Sequence, residues 1–318
     1  MLGSRCEFDR SCHASGAFEG SGTLVLLEME RNGIPRFVGD ASARTYLDYG
    51  SFVDEDRRIL YVATPKAACT SIKLMLRNLL TSEPVQFNAS CDEPTLAMMI
   101  HDRSQVPLPP LTAFSGEKLR HIMTGPGWFR CCITRHPYDR FFSAWRDKVF
   151  LCEPGFEVYA PLNGQKFVEF ADFVVQVVKH ESPFTCDAHW RAQVALLLPD
   201  DIDYNHVYDI SNVCDLPNDL QNHLALLGFH GHLPPLQRSN KGWPIEMDRF
   251  LTADVLELLG QFYQSDFERL GYVAAHGVTV GVPSKASEFV NEFTDAIFDR
   301  NRVIVEHARS ARQREGRG

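Results

Sequence analysis

Twice in this chain a short, largely apolar run gives way, across a tight loop, to apolar residues spaced three and four apart. The first run is Arg58–Val62, RILYV, which stops at Thr64-Pro65; beyond it Ile72, Met75, Leu76, Leu79 and Leu80 repeat at helical spacing and share one face. The second is Phe129–Thr134, FRCCIT, followed by Pro137, a residue suited to a first helical turn. Behind it a helix from Tyr138 to about Phe150 sets Phe141, Phe142, Trp145 and Val149 on its apolar side, with Asp139 near its start and Lys148 near its end as the helix dipole prefers. Short apolar runs with β-branched and aromatic content read as buried strands. Strand, loop and helix in alternation predict an α/β fold: a parallel sheet with helices on both faces. Right-handed crossovers then bring the loops that follow the strands to one edge of that sheet.

The rest of the chain extends this pattern. His206–Ile210 reads as a third strand. Lys166–His180 and His189–Leu198 read as helices, as does Pro217–Leu227, ended by Gly228. Asp248–Leu270 is predicted helical with a break near Gly260, and residues 283–311 as a charged amphipathic helix that packs on the body or on a partner. Three regions follow: an N-terminal extension over residues 1–57, polar and glycine-spotted; a central domain over 58–272; and a C-terminal helical extension over 273–318. Within the central domain, residues 81–118 carry Pro107, Pro109 and Pro110 and read as a surface excursion on the substrate side.

Composition removes several classes of function. With 44% hydrophobic and 23% charged residues the 318-residue chain is neither disordered nor low-complexity, and it is long enough to bury a core without staples. Its 32 basic and 41 acidic residues leave a net charge of −9, which argues against general nucleic-acid binding but leaves room for a local basic pocket holding a small anion. No run approaches the roughly 18–20 apolar residues of a membrane span, and the first residues lack the apolar core of a secretory signal, so a cytoplasmic protein is expected. The nine cysteines are odd in number and include no Cys-x-x-Cys, which argues for buried free thiols over a disulfide framework or a four-thiolate zinc site.

The two loops carry the chemistry. Thr64-Pro65-Lys66-Ala67-Ala68-Cys69-Thr70-Ser71 joins a strand to a helix; its small residues admit a close ligand, the helix start offers N–H groups to an anion, and Lys66 adds charge. It lacks the glycines of a Walker A loop, and a plain strand–helix turn with Thr70 as N-cap is the alternative. In the second segment Arg135 sits just past a buried strand, and Arg140, Ser143 and Asp147 share a stripe of the following helix. Arg135 and Ser143 can converge on one anion, which a guanidinium grips with two parallel hydrogen bonds; a structural ion pair is the alternative. Two anion sites on one edge suit a nucleotide with phosphates at both ends.

At these residues the chain resembles a known family. TPKAACTSIK and ITRHPYDRFFSAWRDK look like the two cofactor-binding signatures of sulfotransferases, closest to the carbohydrate branch with the chondroitin, dermatan and HNK-1 enzymes. Asp187-Ala188-His189-Trp190-Arg191-Ala192-Gln193, Ile202-Asp203-Tyr204, Val207-Tyr208-Asp209, Gly228 and the Leu233–Lys241 loop continue the similarity in order. The resemblance implies a three-layer, P-loop-NTPase-like sheet and an enzyme that moves a sulfuryl group from PAPS (3′-phosphoadenosine 5′-phosphosulfate) to a hydroxyl on a carbohydrate or glycan-like acceptor, releasing PAP without a metal. It implies that Lys66, Ala67, Ala68, Cys69, Thr70 and Ser71 hold the 5′-phosphosulfate and that Arg135 and Ser143 hold the 3′-phosphate. The basic loop Arg238-Ser239-Asn240-Lys241, behind Pro234-Pro235, is expected to close over that phosphate, with a solvated loop as the alternative. The Golgi forms carry an N-terminal anchor and luminal disulfides; this chain shows neither pattern, so a soluble, bacterial member is expected.

In-line sulfuryl transfer needs positioning and charge stabilisation above all. Lys66 is the expected stabiliser of the sulfuryl group and leaving phosphate, and His189 the expected base for the acceptor hydroxyl. His101, His121, Asp187 and Glu93 are other candidates for the base, and His189 packing beside Trp190 is the structural alternative. His136 reads as structural or adenosine-side, Cys69 as packing, and His223, His230 and His232 as surface histidines over a zinc site. Two competing functions stay open: a Mg-dependent phosphotransferase or nucleotide hydrolase on a related sheet, and a non-catalytic PAP-binding module. The C-terminal helix could serve a homodimer.

Overall fold

The structure is a computed structural model that describes residues 39–81, 100–159, 167–230, 233, 236, 245–274, 283–291 and 294–301. Its centre is a four-stranded sheet of β1 (Ser51–Asp54), β2 (Ile59–Val62), β3 (Phe129–Thr134) and β4 (His206–Asp209), in that spatial order. β2, β3 and β4 run parallel, in the register Leu60 beside Arg130 and Cys132 beside Val207. β1 is antiparallel to β2, with Phe52 opposite Tyr61. The sheet is therefore mixed where a parallel one was expected. Four residues suffice for a hairpin connection, so β1 returns beside β2 without the helix that a parallel neighbour would need.

The residues read as three strands form three strands, ending within a residue or so of the expected bounds. Along β2, Ile59 and Tyr61 face one side while Leu60 and Val62 face the other, and all four are buried. A strand buried on both faces must be covered on both. One face packs against α2 (Cys69–Leu80) through Ile72, Met75 and Leu76. The other packs against α1 (Ala41–Gly50), which Asp40 caps by accepting from the N–H groups of Ser42 and Ala43, and against α3 (Gly116–Thr124). Residues 41–54, read as part of an extension, thus supply α1 and the edge strand.

Beside the sheet lies an aromatic block. The expected helix from Tyr138 to Phe150 is divided: α4 (Pro137–Ala144) passes into a wider π turn, Trp145–Phe150. Its Phe141, Phe142, Trp145 and Phe150 pack with Phe170 and Phe173 of α5 (Phe170–His180) and with Trp190. The polar tips are satisfied: Trp145 Nε1 donates to Val168 O at 3.0 Å and Trp190 Nε1 to Glu181 Oε2 at 2.9 Å. The helix expected over His189–Leu198 is only α6 (Gln193–Leu197), because residues 187–192 bend through turns instead. α7 (Leu216–Leu226) ends before Gly228, whose φ of +82° is the left-handed stop expected there. The break expected near Gly260 falls at Tyr263, between α8 (Ala253–Phe262) and α9 (Gln264–Leu270). Helices of eight, five and seven residues such as α4, α6 and α9 are too short to stand alone. Burial supplies what propensity does not, at about 2–3 kcal/mol for each large apolar side chain removed from water.

The described C-terminal residues lie on this block. Residues 294–301 are helical, with Phe298 packed edge-on to Phe150 and Asn301 Nδ2 donating to Leu151 O at 2.8 Å. No helix among the described residues is long and apolar enough to cross a membrane.

Candidate functional site

The loop after β2 leaves the sheet between two left-handed residues, Lys66 at φ +68° and Ala68 at φ +54°. A non-glycine residue in this region costs on the order of 1–3 kcal/mol, a strain that persists only where surrounding structure holds it. The holders are arginines. Arg140, fully buried on α4, donates from Nε to Pro65 O at 3.0 Å, from Nη1 to Arg191 O at 2.7 Å and from Nη2 to Ala188 O at 2.8 Å. It ties the β2 loop to the 187–191 turn, which carries His189. Arg135 Nη1 donates to Lys66 O at 3.1 Å. The two loops predicted to share one edge do share it.

The helix that follows begins at Cys69, two residues earlier than the alternative reading allowed. Its N-cap is Ala68, which offers no side-chain oxygen, and Thr70 lies inside the first turn. An N-terminus without a side-chain cap leaves its donors to other partners. Cys69 is half-buried against the core, as expected of a packing residue.

Arg135 is itself fixed. Its N–H donates to Gln193 Oε1 at 2.9 Å, and Gln193 Nε2 donates back to Arg135 O at 2.8 Å. Buried Asp266 then accepts from Gln193 N at 2.8 Å and Val194 N at 2.9 Å, anchoring α6 beneath the arginine. Burial lowers the Arg135 pKa, with Asp139 and Asp147 opposing. Its remaining guanidinium N–H groups meet no acceptor among the described residues, the condition of a cation poised for an external anion. Ser143 is buried on α4; of the stripe it was read with, Arg140 and Asp147 are the members that reach the loop. Arg238 and Lys241 lie outside the described residues, as do Glu93 and His232.

Lys66 Nζ is paired with Asp147 Oδ2, and Arg146 Nε donates to Asp147 Oδ1 at 3.1 Å. Burial alone would raise the Asp147 carboxyl, but Lys66 and Arg146 outweigh it and hold it below the usual carboxylate range. Asp147 lies in the π turn, so the pair ties that turn to the β2 loop.

His189 stands across from this lysine. Asp187 Oδ1 accepts from His189 N at 2.9 Å and from His189 Nδ1 at 2.7 Å. The carboxylate therefore holds the tautomer with the proton on Nδ1, leaving Nε2 without a partner among the described residues. Burial lowers the ring's pKa; the Asp187 hydrogen bond opposes this, and Lys148 and Lys66 lower it further. The Phe156 ring packs edge-on to His189 at 5.3 Å between centroids, under Lys148 Nζ at 5.5 Å. His101 joins the same cluster, with its Nε2 3.1 Å from Thr70 Oγ1. His121 instead lies on α3 beside Trp128, on the far face of the sheet. His136 packs among Tyr138, Phe267 and Tyr272, a structural role, and His223 bonds Arg57 O.

Residues 49–273 match the Sulfotransferase family. The chain belongs to that family. It is 28% identical to carbohydrate sulfotransferase 10 of Xenopus laevis over 58% of this chain and 55% of that protein. It is 26% identical to carbohydrate sulfotransferase 10 of Danio rerio over 70% of this chain and 66% of that protein, and 26% identical to carbohydrate sulfotransferase 8 of Mus musculus over 57% and 44%. The chain thus spans about half to two thirds of the length of these curated relatives. No solved structure gives a significant match.

Sequence reasoning about this sulfotransferase-family chain missed Gln193 and Asp266 as the support of Arg135, and Lys73 behind the first loop. The motif stretch does contain Gln193, but a glutamine shows its role only when its two partners are in place.

Proposed function

We propose that the chain transfers a sulfuryl group from PAPS to a hydroxyl of a carbohydrate acceptor. The carrying observation is the junction of the two loops: Arg135, with guanidinium donors to spare, is bonded to the backbone of Lys66 at an uncapped helix start. That junction supports a doubly anionic nucleotide with one end on each loop, and the helix-covered faces of the sheet support a three-layer, P-loop-NTPase-like arrangement. Residues 66–71 would hold the 5′-phosphosulfate; Arg135 and Ser143 would hold the 3′-phosphate. The donor would supply the sulfuryl group and depart as PAP. Lys66 stabilises charge at the transferring group once it leaves Asp147. Asp187 keeps His189 Nε2 unprotonated and aimed, so that it takes the acceptor's hydroxyl proton. A carbohydrate acceptor is consistent with the carbohydrate sulfotransferases that the chain resembles.

Calorimetric titration with PAP tests this directly. Wild type is expected to bind with micromolar affinity, insensitive to Mg²⁺. Arg135→Ala should weaken binding by about 10–100-fold, the worth of a charged hydrogen-bonding group. Lys66→Ala should lower kcat for sulfuryl transfer to a sugar by about 100-fold or more. A folded wild type that ignores PAP but takes ATP with Mg²⁺ would overturn the reading.

A further inference from the structure

Behind the donor loop lies a second histidine whose chemistry is the reverse of that of His189. Lys73, one helical turn beyond Thr70 on α2, is only 2% exposed. Its ammonium sits over the rings of Tyr49 at 4.6 Å and Phe52 at 5.5 Å. No carboxylate pairs with it among the described residues; its hydrogen-bond partner is His101 Nδ1 at 3.3 Å. Tyr49 from α1 contributes a hydroxyl 3.5 Å from the same nitrogen. Burial, with Arg103, lowers the Lys73 pKa from its ordinary 10.5; held as an ammonium over the two rings, it has three donors and no acceptor, so Nδ1 accepts. A neutral ring then carries its proton on Nε2, which faces Thr70 Oγ1 at 3.1 Å and donates to it. His189 shows the opposite tautomer, giving its Nδ1–H to Asp187. Two histidines of one cluster are thus set to opposite tasks by a buried cation and a carboxylate.

We infer that Lys73 is a positioning residue: it locks His101 as the Nε2–H tautomer, a fixed hydrogen-bond donor to Thr70 in the loop, and so reserves proton acceptance for His189. The use of this lock in catalysis rests on the sulfuryl-transfer reading; the lock itself does not. The groups facing His101 all disfavour its protonation. Burial comes first, then the charges of Lys73 on α2, Lys148 in the π turn, His189 and Lys66, and together they push its pKa down to about 3. His101 therefore stays neutral wherever a sulfotransferase works. The hydrogen bond to Thr70 holds that side chain in one orientation at the head of α2. The buried ammonium adds positive potential beneath the same turn.

The experiment is two-bond nitrogen–proton NMR of the histidine rings in the full chain, assigned with His101→Gln and His189→Gln. In wild type His101 should show the Nε2–H pattern and His189 the Nδ1–H pattern, with His101 not titrating between about pH 5.5 and 8. In Lys73→Met, which keeps the length of the buried stem, His101 should lose its single tautomer and its pKa should rise by more than about one unit. In the same variant kcat should fall about tenfold or more while the acceptor KM changes less than about threefold, as for a group acting only at the transition state. A wild-type His101 in the Nδ1–H form or titrating near 6.5 would overturn the inference, and so would a Lys73→Met spectrum identical to wild type. The wild-type spectrum decides alone if the variant does not fold. PAP titration of the same samples reads the donor assignment separately: a locked His101 in a protein that binds no PAP would sink that assignment and leave the lock standing.

Discussion

At the scale of single residues, the site works by assigning one state to each titratable group. Lys66 is charged and held by Asp147; His189 is neutral with its lone pair exposed by Asp187. Because burial and the nearby lysines lower the His189 pKa below its ordinary 6.5, the proposed base stays unprotonated into mildly acidic solution. The sign follows: activity requires the neutral ring, so a lower pKa moves the acid limb of kcat/KM down. The pH–rate profile should be flat from about pH 8 to below 6.5 before falling. His189→Gln should remove that limb and lower kcat by about 100–1,000-fold, with PAP affinity changed less than about threefold. A wild-type limb centred above 6.5 would assign the proton to another group.

At the scale of elements, Arg135, the residue proposed to hold the donor's 3′-phosphate, depends on a helix of five residues. α6 owes its start to Asp266 of α9, which accepts from two successive backbone N–H groups, and Gln193 at that start brackets Arg135 from both sides. Asp266→Ala would leave those donors buried without an acceptor, and should cost about 2–4 kcal/mol of stability in urea unfolding. Asp266→Asn keeps one acceptor oxygen and should cost less. In folded Asp266→Asn, PAP affinity should still fall, because Gln193 loses part of its anchor; unchanged affinity would show that Arg135 is placed by other contacts. The π turn has a comparable role, since it carries Asp147, the carboxylate that pairs with Lys66 of the β2 loop.

At the scale of the whole molecule, several histidines are folded in their neutral form. His101, His189 and His206 all have pKa values lowered chiefly by burial. The unfolded chain takes up their protons below about 6.5, while the folded chain does so only at lower pH. Stability is therefore fully present above 6.5 and is lost as pH falls, at about 1.4 kcal/mol per pH unit for each proton taken up on unfolding. The lowered carboxyls of Asp147 and Asp187 add to the loss only near and below pH 4, and the raised Asp266 opposes it. Urea midpoints should hold from pH 7.5 to about 6.5 and fall from there to about pH 5, by less in His101→Gln. A flat profile would mean that these rings titrate alike in the folded and unfolded chain.

The β2 and β3 runs and their following loops were legible because local rules suffice for them: a buried strand needs an unbroken apolar run, and a helix face needs a 3.6 period. Lys66 and Arg135 stood out as candidates because motif and strand end coincide, and His189 because of its motif alone. β1 was not, since Ser51–Asp54 is four residues long with polar ends and becomes a strand only by pairing with β2. The same holds for the relations among residues far apart in the chain. Lys66 with Asp147, Arg140 with Pro65 and Ala188, Gln193 with Asp266, and Lys73 with His101 are each a contact between groups that separate segments deliver. A sequence specifies which groups exist and which faces must be buried. Which lone pair is left open, which cation is paired and which proton is locked depend on hydrogen bonds of about 3 Å, and packing alone sets those distances.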